Sequence, residues 1–451
     1  MKKYILLLLL TILMTTGCKD YLDVKPEKNL VVPRSLEDLA RLTDNILILN
    51  YWYPALGLWA SDELLTDDAG WAGLSSTVEK NTYIWDYSKG LETISEWTAS
   101  YENVFYANVI LEELNRLEVP SANKQDLYNK VRGRALFFRA QAFFNLTSLF
   151  TLPYEQSNSD RQLGIVLKRS SNIDKQPPRA SLQNTYNQII KDLQDAISLL
   201  PEEETLPNRP DKNAVHGLLS RIYLQIGEYE SALTHISKIN EVPLELMDYN
   251  LLDSTESYTI PFPNSEILFQ ARATNYSFRG NNLVYVNPQL IELYEKDDLR
   301  KSIFFTKNEY EEYNFRGSYL GGRNIFGGIS LNEIYLTRSE CLIRIGEVEE
   351  GLSFLNQLLE YRYKKGTFQP ITGLSQEEAL NRVLEERRKE LVFRHNRWLD
   401  LRRLNRDEDS ETTISRSLNG KTYQLLPHSN GYVFPIPVDE IQLTKIEQNP
   451  L

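Results

Sequence analysis

Residues 213–240 read NAVHGLLSRIYLQIGEYESALTHISKIN, and this stretch decides the fold class. Apolar side chains recur at helical spacing in two runs, residues 218–226 and residues 232–239. Gly227 separates the runs, and glycine readily adopts the left-handed backbone that ends a helix and turns the chain. The pattern predicts two antiparallel helices, and the small side chain of Ser220 allows them to approach closely.

The same pattern returns in residues 330–360. Gly346 stands at the place of Gly227, and Ser339 stands at the place of Ser220, at one fixed offset. Internal self-similarity indicates a repeat architecture, and each unit resembles a tetratricopeptide helix pair. Because the copies lie too far apart for a tandem array, the sequence predicts a mainly α fold. We expect a tetratricopeptide-like helix-pair scaffold with long irregular loop insertions and a few short strands.

Other amphipathic segments extend this scaffold, and two segments interrupt it. Helices are predicted over residues 36–50 after the cap Ser35, 97–117, 124–149, 181–200 with Ser181 as cap, and from Ser375 through residue 403. The segments at about residues 52–95 and 243–328 lack helical pairing, apart from a short strand expected at 266–270. Function is expected in these insertions, because binding residues are concentrated on loops.

The composition excludes several functional classes. The chain has 451 residues, a formal net charge of -12 and a pI near 5.1, which argues against nucleic acid and against an anionic lipid surface as partners. The two cysteines, Cys18 and Cys341, and four histidines show no paired spacing, so no metal site and no cofactor are predicted. Cys341 falls on an apolar helix face and is expected to be buried.

The N-terminal sequence indicates export. Lys2 and Lys3 precede an apolar run at residues 5–14, which has the length of a signal-peptide core and is too short to span a bilayer. Residues 15–18, Thr-Thr-Gly-Cys, resemble a bacterial lipobox, so we predict a signal peptide over residues 1–17 and acylation, including palmitate, of Cys18. Residues 18–451 are then a single domain. The alternative is ordinary cleavage that leaves an incidental thiol.

Several motifs along the chain resemble one family. Residues 18–26 read CKDYLDVKP, residues 139–146 read RAQAFFNL, and residues 386–403 read ERRKELVFRHNRWLDLRR. Residues 434–441, FPIPVDEI, complete the set. These motifs resemble the RagB/SusD family of outer-membrane nutrient-uptake lipoproteins, although Arg394-His395 stands where that family usually has Glu-Gly.

The resemblance implies a function and a partner. Such a protein is a surface-exposed lipoprotein of the outer membrane that captures oligosaccharides and delivers them to a SusC-like TonB-dependent transporter, and it is not an enzyme. Two alternatives stay open, a RagB-like protein that binds peptides and a helical-repeat scaffold for protein–protein interaction.

Charged clusters in the sequence have catalytic and structural interpretations. Asp67 and Asp68 are adjacent in a loop, so their carboxylates point in different directions and do not form a glycosidase pair. They also lack the framework of a calcium loop. In residues 386–403, Glu386 with Glu390 and Arg397 with Asp400 are at helical spacing, which favours an ion-pair network over an anion site.

Ligand contacts are predicted in both insertions, because sugars present C–H faces that stack on flat aromatic rings beside polar groups. Trp71 has small neighbours and lies close to two carboxylates, whereas Trp59 is expected in the scaffold. The alternative for Trp71 is that it packs against the helices. The resemblance adds candidates from the mid-chain insertion. The predicted ligand-binding residues are Trp71, Asp67, Asp68, Tyr276, Tyr319 and Arg323.

Overall fold

A computed structural model describes residue 33 and residues 35–118, 121–239 and 245–450. The α-helices are α1 (Leu36–Thr43), α2 (Ile46–Leu49), α3 (Leu56–Ala60), α4 (Asp68–Ala72), α5 (Thr77–Ile84), α6 (Ser95–Arg116), α7 (Gln125–Phe150), α8 (Leu182–Ile197), α9 (Lys212–Ile226), α10 (Tyr229–Ile236), α11 (Pro288–Glu292), α12 (Arg300–Phe304), α13 (Leu331–Arg344), α14 (Val348–Glu360), α15 (Gln376–Glu390), α16 (Asn396–Leu404) and α17 (Val438–Thr444). The predicted signal peptide and Cys18 lie outside the described residues.

The strands are short and form antiparallel pairs. They are β1 (Leu64–Thr66), β2 (Leu163–Val166), β3 (Arg179–Ser181), β4 (Ile267–Phe269), β5 (Val284–Val286), β6 (Phe305–Lys307), β7 (Tyr313–Phe315), β8 (Ile329–Ser330), β9 (Ile414–Leu418) and β10 (Lys421–Leu425). The pairs are β1 with β5, β2 with β3, β4 with β8, β6 with β7, and β9 with β10. The predicted mainly helical fold with a few short strands is confirmed, and β4 is the strand expected at residues 266–270.

The scaffold is a succession of packed helices. α6 packs on α7, α8 on α7 and α9 on α8, and the chain then forms the two predicted pairs, α9 with α10 and α13 with α14. Although the mid-chain insertion separates the pairs in sequence, α10 packs directly on α13. Cys341 of α13 is buried beside Leu224 and Ala232, as expected. Burial raises the pKa of the Cys341 thiol to about 12. The two pairs therefore stack as consecutive repeats.

Local signals fixed the turns and most helix starts. Gly227 and Gly346 both have left-handed backbones, with φ of 84° and 95°. The three predicted caps, Ser35, Ser181 and Ser375, each accept a hydrogen bond from a backbone N–H in the first turn of the following helix. The predicted helix over residues 36–50 is instead two helices, α1 and α2. Its interruption lies at Asp44 and Asn45.

The prediction of one helix from Ser375 through residue 403 is wrong. α15 ends at Glu390 and α16 begins at Asn396, and Phe393 between them has a left-handed φ of 58°. His395 in this break is half-buried, and its Nε2 lies 2.9 Å from the hydroxyl of Ser148. A side chain at Gly57 of α3 would overlap the His395 ring. Packing of the histidine against distant helices thus accompanies the break.

The charged motif on α15 forms a buried ion-pair network with the mid-chain insertion. Glu386 and Glu390 both bind Arg300, with N–O distances of 2.6 and 3.3 Å. Arg362 bridges Glu390 and Glu266 at 2.8 and 2.7 Å. All five side chains are fully buried. The structural interpretation of this motif is confirmed, and it acts by joining the scaffold to an insertion.

A second set of ion pairs corrects one predicted contact. Arg397 does not pair with Asp400. It forms a two-pronged contact of 2.7 and 2.8 Å with Asp62, which precedes β1 in the first insertion. Asp400 pairs instead with Arg387 and Arg403, at 2.8 and 2.9 Å. The spacing of Arg397 and Asp400 permitted the predicted pair, but tertiary partners with better geometry are present.

The first insertion is more ordered than predicted, because it contains β1 and the short helices α3 to α5. Trp59 was expected in the scaffold but is fully buried within the insertions, with its ring centre 4.7 Å from those of Tyr83 and Phe278. Phe278 belongs to the mid-chain insertion, whose strand β5 pairs with β1. The two insertions therefore share one hydrophobic core beside the scaffold.

The left-handed turn of the first helix pair generates a stability prediction. Gly227→Ala should lower the free energy of unfolding by about 1–2 kcal/mol, because an L-residue pays that cost in the left-handed region. No atom lies within 4 Å of an added side-chain carbon, so the cost comes from the backbone alone. Urea unfolding measures it. Gly227→Asn should lose less, because Asn tolerates this conformation, and equal losses for Ala and Asn would contradict the explanation.

His395 generates a pH prediction. Burial, with the charges of Arg402 and Arg221, lowers the pKa of His395 from 6.5 to about 3. Below pH 6.5 the unfolded chain takes up a proton that the folded chain excludes, so the stabilising contribution is complete above pH 6.5 and is lost as the pH falls towards 3. The slope is about 1.4 kcal/mol per pH unit. In urea titrations between pH 7 and pH 5, His395→Gln should lose less stability than the wild type. Identical losses would refute this assignment.

Candidate ligand-binding site

A cleft with a volume of about 570 Å³ opens where the two insertions meet. Its floor is apolar and includes Phe278 and Val284. Three arginines line it, Arg279, Arg316 and Arg323, and we call it the arginine cleft. The volume lies within the range of small-molecule sites, about 300–1,000 Å³.

The first insertion positions the loop that carries Arg279. This loop begins with a single helical turn, Ser277–Gly280. The carboxylate of Glu79 in α5 accepts hydrogen bonds from the backbone N–H of Phe278 at 2.9 Å and from the hydroxyl of Ser277 at 2.7 Å. Further along, the amide of Asn281 donates to the carbonyl of Gly70 at 2.8 Å. Arg279 therefore projects from a loop held at both ends.

Arg316 organises the opposite wall. Its guanidinium donates to the backbone carbonyls of Glu256, Ser254 and Ser302, at 3.0, 2.5 and 2.7 Å. These bonds hold the segment that leads into Tyr258, a cleft-lining residue whose side chain is 42% exposed. The rim of the cleft therefore presents an exposed aromatic ring on an anchored loop.

The electrostatics of the cleft differ from those of the scaffold. Within the described residues, no carboxylate lies within 4.0 Å of the guanidinium of Arg279, Arg316 or Arg323. Burial, together with the charges of Arg272 and Arg323, lowers the pKa of Arg279 to about 10. At neutral pH the guanidinium still carries its charge. The cleft is thus a concentration of positive charge without a counter-ion from the described chain.

The predicted residues of the first insertion have structural contacts. Asp67 caps α4 by accepting from the backbone N–H of Gly70 at 2.7 Å, and Asp68 accepts from the backbone N–H of Asn419 at 2.7 Å. Among the described residues, no group of three or more His, Cys, Asp or Glu side chains could hold a metal ion. Both aspartates are exposed, and their role in ligand binding stays a prediction.

Trp71 is half-buried and does not line the cleft. Its indole N–H donates to the carbonyl of Lys80 at 3.0 Å, and the Lys80 ammonium lies 5.8 Å from the ring centre. The ring also packs against the core shared by the insertions. These contacts favour the alternative in which Trp71 mainly packs its loop against the structure below. A ligand contact at Trp71 stays a prediction.

The three mid-chain candidates have different positions. Tyr276 is half-buried and its hydroxyl donates to Glu96 at 2.5 Å. Tyr319 is only 2% exposed, its hydroxyl donates to Glu266 at 2.5 Å and accepts from Asn332 at 2.8 Å, and we therefore do not keep it as a ligand contact. Arg323 is exposed and lines the cleft.

Sequence reasoning missed Tyr258, Arg279 and Arg316. Residues 275–282, NYSFRGNN, contained a signal, because an arginine stands there among small and amide side chains. Tyr258 lies in a polar run with no distinguishing pattern. Only the folded chain shows that these residues share one cleft.

The fold and the cleft define a class, a helical-repeat protein that presents a candidate binding site built from loops. A family model described as "Starch-binding associating with outer membrane" matches residues 20–224, and the model of the SusD family matches residues 329–451. The two matches cover more than two thirds of the chain.

Similar proteins extend over nearly the whole chain. SusD-like protein P2 from Formosa agariphila is 23% identical, and the alignment covers 90% of this chain and 91% of that protein. A SusD superfamily protein from Bacteroides thetaiotaomicron has a TM-score of 0.74 and 22% identity, covering 92% of this chain and 100% of that chain. A SusD-like carbohydrate binding protein from Bacteroides vulgatus has a TM-score of 0.70 and 18% identity, covering 91% and 97%.

This chain belongs to the SusD/RagB family. It has the fold of the SusD-like carbohydrate-binding proteins, and the family consists of binding proteins that associate with the outer membrane. In the described part of the chain, no helix combines the length and apolar character needed to cross a bilayer.

Proposed function

We propose that this protein is a surface-exposed lipoprotein that captures glycans in the arginine cleft and delivers them to a SusC-like TonB-dependent transporter. The arginine cleft is the observation that carries the proposal. It combines an apolar floor with an exposed tyrosine and with hydroxyl, amide and guanidinium groups. This combination suits sugars, whose C–H faces pack on aromatic rings while their hydroxyls need polar partners.

The names of relatives support a glycan as the ligand. One matching family model is described as starch-binding, and a neighbour in structure is described as carbohydrate binding. A peptide ligand, as in a RagB-like protein, and a scaffold for protein–protein interaction are the alternatives. Glycan and peptide arrays probed with the full chain in detergent separate the three, because a scaffold would bind neither array.

The rim tyrosine generates an affinity prediction. Tyr258→Ala should weaken binding to the glycan found on the array by about tenfold, which is about 1.4 kcal/mol, with little change in melting temperature. Calorimetric titration measures the affinity. Trp71→Ala is the matched control, because this half-buried ring should lower the melting temperature more than the affinity. The reverse pattern would place the ligand platform at Trp71 and not at the cleft.

The proposed lipid anchor and transporter partner generate a second prediction. If Cys18 carries the anchor, Cys18→Ala should move the protein from the membrane fraction to the soluble fraction, because the acyl chains are lost. Protease treatment of intact cells tests the surface orientation of the wild type. A pull-down of the wild type from detergent extracts should contain a TonB-dependent transporter. Equal membrane retention of both forms would rule out the anchor, and a pull-down without a transporter would rule out the delivery step.

A further inference from the structure

The charged side chains that line the arginine cleft are all positive. The lining contains three arginines and no aspartate, glutamate or lysine. Three other cavities of the described chain mix the two signs. One includes Lys191 and Asp192, another includes Lys364 and Glu360, and a third includes Arg209 and Glu203. The arginine cleft therefore differs from these cavities because every charged side chain in its lining is positive.

The arginines of the buried ion pairs differ from those of the cleft. Arg300, Arg362 and Arg397 each bind at least one carboxylate at 2.8 Å or less. Arg279 is half-buried, and its recorded side-chain hydrogen bond goes to the neutral oxygen of Asn275 at 3.2 Å. A partly buried guanidinium without a counter-ion is unfavourable. A bound anion would supply the missing negative charge.

The negative charge of the protein as a whole directs an anionic ligand to this cleft. The formal net charge is -12, so most of the molecule repels an anionic ligand. A guanidinium presents a rigid fork of N–H donors that matches a carboxylate or a sulfate. An anionic ligand is therefore attracted to this cleft and not to the protein surface in general.

The remaining lining favours a sugar over a peptide. Tyr258 offers a flat face at the rim, and Asn282, Ser257 and Thr255 add neutral donors and acceptors that are exposed. A glycan with acidic substituents uses both sets of groups, because its hydroxyls bind the neutral side chains and its charges bind the arginines. An acidic peptide has fewer hydroxyl groups that could bind these neutral side chains.

We propose that the arginine cleft selects glycans that carry carboxylate or sulfate groups, with Arg279 and Arg323 as the residues that recognise the charge. This inference rests on the proposed function, since it specifies the class of glycan that the cleft accepts. Arg316 acts differently. Its donors hold backbone carbonyls of the cleft wall, so it positions the loop while its charge adds to the field.

The experiment compares, for each of two sugar backbones, a more highly charged form with a less charged form. The full chain in detergent is titrated calorimetrically with oligogalacturonate and its methyl ester, and with chondroitin sulfate and chondroitin oligosaccharides. Inorganic sulfate and a poly-glutamate peptide are separate probes. We expect each more highly charged form to bind at least about tenfold more tightly than its partner, and its affinity to fall as the salt concentration rises.

Variants assign the effect to the cleft. Arg279→Gln should weaken oligogalacturonate or chondroitin sulfate binding by about tenfold to a hundredfold, as for loss of a charge-assisted hydrogen bond. Arg279→Lys should retain part of the affinity, and Arg323→Gln should also weaken binding. Arg161→Gln is the matched control, because Arg161 is exposed and lies outside the cleft, and it should bind as the wild type does. Melting temperatures confirm that each variant is folded.

Each outcome decides between the proposals. Equal affinity for charged and neutral forms, or unchanged affinity in Arg279→Gln, overturns acidic selectivity. If a neutral glycan then binds in a manner that depends on Tyr258, the glycan-binding function stands without it. Tighter binding of poly-glutamate than of any glycan overturns both proposals in favour of a peptide ligand. Binding of inorganic sulfate alone identifies a small-anion site and overturns acidic selectivity, as does binding of no probe, while the glycan array decides the proposed function.

Discussion

The structure depends on the pairing of charges that are buried away from water. Glu390 of α15 lies between Arg300 and Arg362, and none of the three side chains is exposed. Removing one partner from such a group costs about 3–5 kcal/mol, because the charge that remains is buried and unpaired. The contacts extend from α15 to the mid-chain insertion, so the scaffold and the insertion have one relative position in which these charges are satisfied.

The same requirement for a partner applies to the arginines of the cleft. Tyr319 packs its ring against the guanidinium of Arg394 and shares Glu266 with Arg362, so Glu266 has two side-chain partners at the base of the mid-chain insertion. Within the described residues, no carboxylate lies within 4.0 Å of the guanidinium of Arg279 or Arg323. The chain is rich in acidic residues, yet it places none in the lining of this cleft.

The sequence predicted the features that depend on a few adjacent residues. Gly227 ended a helix and Ser375 began one, because backbone conformation and capping depend on a few adjacent residues. The break between α15 and α16 was missed because the His395 ring packs against Gly57, which is more than three hundred positions away. The sequence could not separate the exposed candidate residues from the buried ones for the same reason. Tyr319 and Arg323 lie within one short segment, yet only the fold shows that the first is buried and the second exposed.

The pairing of β4 with β8 has a consequence for how such a chain can diverge. Ile267 lies opposite Ser330 and Phe269 opposite Ile329, so the segment between these strands leaves the scaffold and returns to it at one place. Doubling the length of a loop with fixed ends costs only about 0.6 kcal/mol in closure entropy. Exposed stretches within that segment can therefore vary in length and in chemistry while the helix pairs keep their packing, provided that Arg300 keeps its buried carboxylate partners. Evolutionary changes confined to these stretches alter the surface of the insertion and leave the helical scaffold intact.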